Sequence, residues 1–337
     1  MPDSNPTPVP DGPVLICGGA GYIGSHTVRA LRRLNVSTVT LDNLSTGHRA
    51  LVQGPFEEVD LGDAEGVAAV FEKHRPEAVM HFAAKCYVGE SVDKPSKYWR
   101  ENVSNTLGLL DAMRAVDCRN FVFSSTCATY GEPVEIPMTE DHPQNPINPY
   151  GRTKLVIEQM LSDYAQAYGL RYAALRYFNA AGASPDGGIG EDHEPETHLI
   201  PLVLQVAQEK RENIHVFGDD YPTRDGTCIR DYIHVDDLAD AHLRALGKLQ
   251  SGTPSLKCNL GTGHGYSVLE LIETARKITG HRIPHVIDPR RPGDPAELVS
   301  GGQRALELLG WEPKRSALET ILGDAWEFHT DNPGGFG

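Results

Sequence analysis

The stretch "NPYGRTKLVIEQML" sets Tyr150 and Lys154 four residues apart, so that on a helix the two side chains share a face one turn apart. A free tyrosine, with a pKa of about 10, is a poor base at neutral pH, but a neighbouring ammonium and a cationic nicotinamide both favour the phenolate. Such a pair could take a hydroxyl proton while a hydride leaves the same carbon. The spacing alone is weak, because Tyr and Lys often share an exposed helical face. Context strengthens it. "VLICGGAGYIGSH" places Gly18, Gly21 and Gly24 directly after an apolar run and at the start of a helical pattern; Gly19, Gly21 and Gly24 also satisfy G-x-G-x-x-G. These glycines permit a tight turn and close backbone approach to a pyrophosphate, and the free N–H groups of a helix N-terminus favour its charge. Asp42, in "TLDN", follows about 20 residues on, where a carboxylate accepts from an adenosine ribose hydroxyl and repels a 2′-phosphate. NAD is therefore expected rather than NADP.

A third stretch, "FVFSSTCATYG" (121–131), crowds Ser124, Ser125, Thr126, Cys127 and Thr129 at the end of an apolar run. It raises the question of a covalent nucleophile. A dinucleotide would carry the difficult step, so a hydroxyl here need only orient a proton transfer.

These residues need a scaffold, and the first half of the chain alternates β-branched runs with helical patterns, the form of a parallel sheet covered on both faces. Strands are expected at 14–17, 37–42, 56–60, 78–84, 121–125 and 172–178, with helices near 22–34, 63–75, 95–116 and 150–168. The fold class is α/β, a Rossmann-type doubly wound parallel sheet with a smaller mixed α/β C-terminal substrate-binding region. Three parts are expected: a disordered tail over 1–12, with five prolines in the first thirteen residues, an NAD-binding domain over 13–179, and a largely substrate-binding part over 180–337, partly interleaved with the first. The loop "AAGASPDGGIGEDHEPET" is too polar and Gly-rich to be core.

Composition excludes several classes. Across 337 residues the formal charge is −15, which argues against a phosphate-backbone binder, so no nucleic-acid partner is expected. No apolar stretch approaches the roughly 18 residues of a spanning helix, and the start lacks a basic and apolar leader; no membrane partner is expected, and the cytoplasm is the expected location. The six cysteines are scattered without C-x-x-C, as suits reduced thiols. Fourteen histidines include no H-E-x-x-H, and the densest cluster, Glu191, Asp192 and His193 with His198, sits in a Gly- and Pro-rich loop; no metal is expected.

Together the glycine turn, the "SST" strand end and Tyr150-x-x-x-Lys154 resemble the extended short-chain dehydrogenase/reductases. "LDNLSTGHR", "HFAA" with "VGESVDKP", "SSTCATYG", "PYGRTK", "LRYFNAAGA", "DYPTRDGTCIRDYIHVDDLADAH", "NLGTG" and "RRPGDPAELV" narrow the resemblance to the UDP-glucose (UDP-galactose) 4-epimerases. It runs from about Val14 to Trp311. It implies an NAD-dependent isomerase, active as a homodimer in galactose metabolism, that moves a hydride from sugar C4 to NAD and back to the opposite face of the 4-keto sugar. In that reading Tyr150 is the base, Lys154 holds the nicotinamide ribose and lowers the tyrosine pKa, and Thr126 hydrogen-bonds near the 4-oxygen. Cofactor contacts would come from Gly18, Gly21, Tyr22, Ile23, Gly24, Asp42, Asn43, Asp60, Leu61, Phe82, Ala83, Ala84, Asn102, Tyr150, Lys154 and Phe178. UDP-sugar contacts would come from Thr126, Tyr150, Asn179, Leu199, Val216, Phe217, Arg230, Arg291 and Asp294, with Glu90 and Ser91 near the sugar.

The chain departs from the pattern in places. Cys17 stands where Thr is common and Asn105 where Gly is usual, while Lys85 and Cys86 lie in a variable segment and receive no role. The position that restricts sugar size falls at Leu298, or at Glu297 with a one-residue slip; a residue smaller than the usual Tyr would admit an N-acetylhexosamine. A UDP-pentose 4-epimerase is the near alternative. A 4,6-dehydratase would carry Asp-Glu where Cys127 and Ala128 stand, and a non-catalytic NAD sensor would be expected to lose Tyr150, Lys154 or Thr126.

Overall fold

The computed structural model describes residues 12–291 and 293–336; the Pro-rich opening through residue 11, nearly all of the expected tail, lies outside the described residues. Six strands, β1 (Val14–Cys17), β2 (Thr38–Asp42), β3 (Phe56–Glu58), β4 (Ala78–His81), β5 (Asn120–Ser124) and β6 (Arg171–Arg176), join Leu256–Asn259 in one sheet. Its order is Leu256–Asn259, β6, β5, β4, β1, β2, β3, and every pair is parallel. Because helices cover both faces, β1, β2, β4 and β5 are buried along their whole length.

Side-chain alternation splits the core in two. Val14 and Ile16 face a cluster with Val28 and Leu31 of helix Tyr22–Arg33 and Leu238 and Ala241 of helix Val235–Gln250. Leu15 and Cys17 face Phe71, Leu110 and Leu161 from helices Ala64–His74, Asn105–Ala115 and Pro149–Tyr168. Strand order reverses at β1 and β4, and a ligand crevice is expected beyond their carboxyl ends.

Helix Pro149–Tyr168 has both stop signals: Asn148 Oδ1 accepts from Gly151 N at 2.9 Å with Pro149 at the first position, and Gly169 closes it at φ 71°. The expected helix over 95–116 is three consecutive pieces, Pro95–Tyr98, a wider π-type turn Trp99–Ser104, and Asn105–Ala115. The strands expected at 78–84 and 172–178 stop at His81 and Arg176. At the first of these, Phe82 N and Ala83 N both turn to Cys17 O, at 2.8 and 3.0 Å.

Beyond residue 179 the elements are shorter. Asn179–Ala181 pairs with Tyr232–His234, Ile214–Phe217 with His285–Asp288, and Ile229–Arg230 lies between Tyr266–Ser267 and Glu297–Leu298. A third apolar cluster, built on helices Leu199–Ala207, Val268–Thr279 and Leu318–Asp331, supports them. The chain returns to the main sheet through helix Val235–Gln250 and strand Leu256–Asn259.

Candidate active site

At the carboxyl ends of β1 to β4 lies an open groove. Gly18 takes φ 81°, and a Cβ there would sit 2.5 Å from Ala83 N; a Cβ on Gly24 would sit 2.1 Å from Gly18 O. Neither position accepts a side chain without moving backbone. Helix Tyr22–Arg33 begins with no side-chain cap and no acidic residue in its first turn, which leaves its N–H groups for an anion. Asp42 closes the turn, accepting from Ala20 N at 3.0 Å and Leu44 N at 2.9 Å. Burial raises its carboxyl above the usual carboxylate range, and those same bonds oppose the rise. A glycine cradle, a free helix end and a buried acceptor fit a dinucleotide.

The groove wall includes Gly18, Gly21, Asp42, Asn43, Asp60, Leu61, Phe82, Ala83 and Ala84, all expected at the cofactor. It also includes Ser45, Thr46, Gly47, Lys85, Glu101 and Asn105, which the sequence reading assigned no contact. Lys85 Nζ donates to Ser45 Oγ at 3.2 Å across this wall. The buried Asn102 is engaged elsewhere: it accepts from Lys85 N at 2.8 Å and donates to Thr153 Oγ1 at 3.1 Å, pinning the segment after β4 to the helix of Tyr150. Tyr22 donates to Gly182 O at 2.6 Å and Ile23 packs against the core, so only their backbone faces the turn.

Lys154 is buried, and its Nζ donates to Ser124 O at 2.8 Å, 4.8 Å from the Phe123 ring centroid and 6.0 Å from that of Tyr150. Burial lowers its pKa to about 8. Burial pushes the Tyr150 phenol well up; the Thr126 hydroxyl, which faces it, works the other way. Tyr150 therefore needs positive charge beside it before it can act as a base. Cys86 is exposed on this side and close enough for its charge to count in both titrations.

The hydroxyls after β5 divide their tasks. Ser124 Oγ meets Tyr177 OH at 2.6 Å. Ser125 Oγ donates to Glu158 Oε1 at 2.7 Å, and Arg176 Nε donates to the same oxygen at 2.8 Å, forming a fully buried ion pair between the helix of Tyr150 and β6. Arg176 Nη1 reaches Tyr130 OH at 2.8 Å, which in turn donates to Asn259 Oδ1 at 2.6 Å. Thr126 Oγ1 accepts from Ala128 N at 3.1 Å and caps the following turn. Cys127 is fully buried and burial drives its thiol pKa up, so it serves neither as nucleophile nor as acid–base group.

In the C-terminal part Arg230 Nη2 donates to Asp294 Oδ1 at 2.7 Å and Nη1 to Pro295 O at 3.0 Å. Arg291 lies 3.8 Å over the Phe217 ring. Asn179 Nδ2 donates to Asp231 O at 2.9 Å. Leu199 opens helix Leu199–Ala207 and packs partly into its cluster, whereas Val216 is fully within that core and can offer a ligand only its backbone. Leu298 pairs in register with Arg230 and packs with Phe178 against Cys127, Tyr130 and Met138. The strand of Arg230 is thereby joined to the strand end that carries Thr126. Glu90 accepts from Lys97 Nζ at 2.9 Å, and the buried Ser91 donates to Val88 O at 2.6 Å, so both are occupied within their own segment.

Sequence reasoning set aside the acidic and histidine-rich loop. The fold closes it, bringing Glu191, His193, Glu196 and His198 together. Their uneven spacing matches no familiar ligand motif, and Glu196 was not counted with them.

The pattern of the NAD dependent epimerase/dehydratase family matches residues 14–261. A UDP-glucose 4-epimerase of Halalkalibacterium halodurans is 52% identical over 324 residues, 96% of this chain and 97% of that protein. The crystal structure of a UDP-glucose 4-epimerase from Brucella ovis in complex with NAD is 51% identical with a TM-score of 0.92, covering 94% of this chain and 98% of that one. That of a UDP-glucose 4-epimerase from Bifidobacterium longum in complex with NAD+ and UDP is 37% identical with a TM-score of 0.90, covering 96% and 99%.

Proposed function

The chain belongs to the NAD dependent epimerase/dehydratase family, and from that premise we propose that it interconverts UDP-galactose and UDP-glucose by inverting C4 of the hexose, as an NAD-dependent UDP-glucose 4-epimerase. The observation that carries this reading is the meeting of Tyr150, Lys154 and Thr126 at the end of β5, beside a groove built for a dinucleotide.

The glycine turn and the first turn of helix Tyr22–Arg33 would hold the pyrophosphate of NAD, Asp42 the adenosine ribose, and Asp60 and Leu61 the adenine end. When bound, NAD supplies reversible uptake of a hydride from the sugar, so inversion needs no net oxidant. Tyr150 removes the 4-hydroxyl proton and later returns it. Thr126 orients that hydroxyl, and Lys154, anchored on Ser124 O, supplies the charge that offsets the raised phenol pKa. Arg230 and Arg291 take the diphosphate with charge-assisted bonds, and Asp294 the uridine ribose. Between proton removal and return the keto sugar must present its other face, which requires room rather than grip at the pocket.

The fully buried Cys127 offers nothing to a water elimination, which weighs against a 4,6-dehydratase. Leu298 packs against the cluster at the strand end while Glu297 lies near Arg224, which supports Leu298 as the residue that bounds the sugar and, by its size, UDP-N-acetylhexosamines as further substrates. The reading extends to a homodimer in the cytoplasm serving galactose metabolism. Val92, Trp99 and Leu107, exposed over residues 88–115, support a partner surface there.

The test is to incubate the purified protein with UDP-galactose, without added NAD, and separate the nucleotide sugars. UDP-glucose is expected; none, even after NAD is supplied, overturns the reading. UDP-N-acetylgalactosamine and UDP-arabinose run in parallel measure sugar range, and light scattering measures the oligomer.

A further inference from the structure

Glu191, His193, Glu196 and His198 each direct one ligating atom into a common space, the four atoms lying within 4.8 Å of one another. His198 Nδ1 stands 2.9 Å from Glu191 Oε1 and 3.0 Å from Glu196 Oε1, while His193 Nδ1 stands 3.4 Å from Glu191 Oε1 and 3.6 Å from Glu196 Oε2. Four ligands about 2.0 to 2.1 Å from a zinc ion form a tetrahedron with edges of about 3.3 to 3.4 Å, so atoms already within 4.8 Å of one another need only small shifts to take an ion. We propose that these four residues bind one divalent first-row transition ion, with zinc as the reference occupant.

Hydrogen bonding accounts for only part of the cluster: His198 Nδ1 bonds with Glu196 Oε1 at 3.0 Å. Among the described residues His193 Nδ1 is buried with no hydrogen-bond partner, although two carboxylates approach it. Both glutamate side chains are 5% exposed, and two carboxylates drawn from water side by side hold a bound cation strongly. Two imidazole nitrogens and two carboxylate oxygens suit zinc and its neighbours better than calcium or magnesium. The outer shell is also in place: Thr197 N and His198 N each donate to Glu196 Oε1 at 2.7 Å and fix its carboxylate. His198, partly exposed, leaves an entry path.

The cluster lies between Tyr22, at the start of the phosphate-binding helix, and Tyr87: His193 is 6.3 Å from the Tyr22 ring and His198 6.5 Å from that of Tyr87. An ion there would fasten the loop 190–198 along one side of the cofactor groove, a structural part and not a catalytic one.

The experiment is elemental analysis of the purified protein, followed by chelator stripping and titration with Co²⁺ and then Zn²⁺. We expect about one ion per chain, visible cobalt bands of four-coordinate intensity that zinc abolishes, and a higher unfolding temperature with the ion than without. His198→Gln, at the exposed ligand, should weaken binding by more than ~100-fold, beyond the range of outer-shell changes, with Glu196→Gln as the second variant. Absence of co-purified metal together with no saturable cobalt band, or unchanged cobalt affinity in both variants, overturns the site. Epimerase activity plays no part in either outcome.

Discussion

In the groove that fits a dinucleotide the lining groups come from the carboxyl ends of β1, β2, β3 and β4, neighbours in one parallel sheet, and the critical distances involve backbone atoms: Ala83 N against Gly18, Gly18 O against Gly24. In the C-terminal part Asn179, Phe217, Arg230, Arg291 and Asp294 come from strands of two to four residues and the loops beside them, held by a guanidinium on a carboxylate and another on a ring. The first region is fixed by where a chain can pass, the second by which side chains find each other. Damage to the first should be all or none, and damage to the second graded.

The sharpest test of that contrast is Gly24→Ala. Its methyl would lie 2.1 Å from Gly18 O, and we expect no NAD on the purified protein by absorbance and by calorimetric titration; retention near the parent level would break the comparison. Next is Tyr150→Phe, which should keep NAD and UDP binding while kcat falls by ~10² to 10⁴, the range for loss of a general base, as read by steady-state kinetics. Arg230→Gln in the C-terminal part should raise KM for UDP-galactose by roughly tenfold to a hundredfold, with a smaller effect on kcat, since one charge-assisted bond is worth about 1.5–3 kcal/mol. The smallest effect belongs to Leu298→Tyr: turnover of UDP-N-acetylgalactosamine should fall by roughly tenfold while UDP-galactose turnover stays within a few-fold, because a pocket wall discriminates by about 1–3 kcal/mol.

The same contrast explains what could be read without coordinates. Gly18, Gly21, Gly24 and Asp42 were legible because their spacing follows from the geometry of one strand, one turn and one helix. Tyr150 and Lys154 were legible through helical periodicity. Thr126 was visible only as one hydroxyl among several, and the hydrogen bonds that separate it from Ser124 and Ser125 run to Tyr177, Glu158 and Arg176, more than 30 residues away. Asn102, on the wide turn Trp99–Ser104, bonds to Lys85 and Thr153, contacts that no local period announces. Val216 carried no signal that would separate a ligand contact from a core valine. Glu191, His193, Glu196 and His198 share no helical or strand period, so only the path of the loop unites them.

The buried pair of Glu158 and Arg176 also constrains how this chain can change over generations. Removing either partner strands the other charge in the core at a cost of about 3–5 kcal/mol, a large share of the stability of an ordinary domain. Ser125, Tyr130 and Asn259 are tied to the same pair, so a tolerated change at one position depends on what already occupies the others. Lineages can leave this arrangement only through coordinated replacement. Deep mutational libraries should accordingly show strong sign epistasis among these five positions and near-independence between them and the surface of helix Leu318–Asp331.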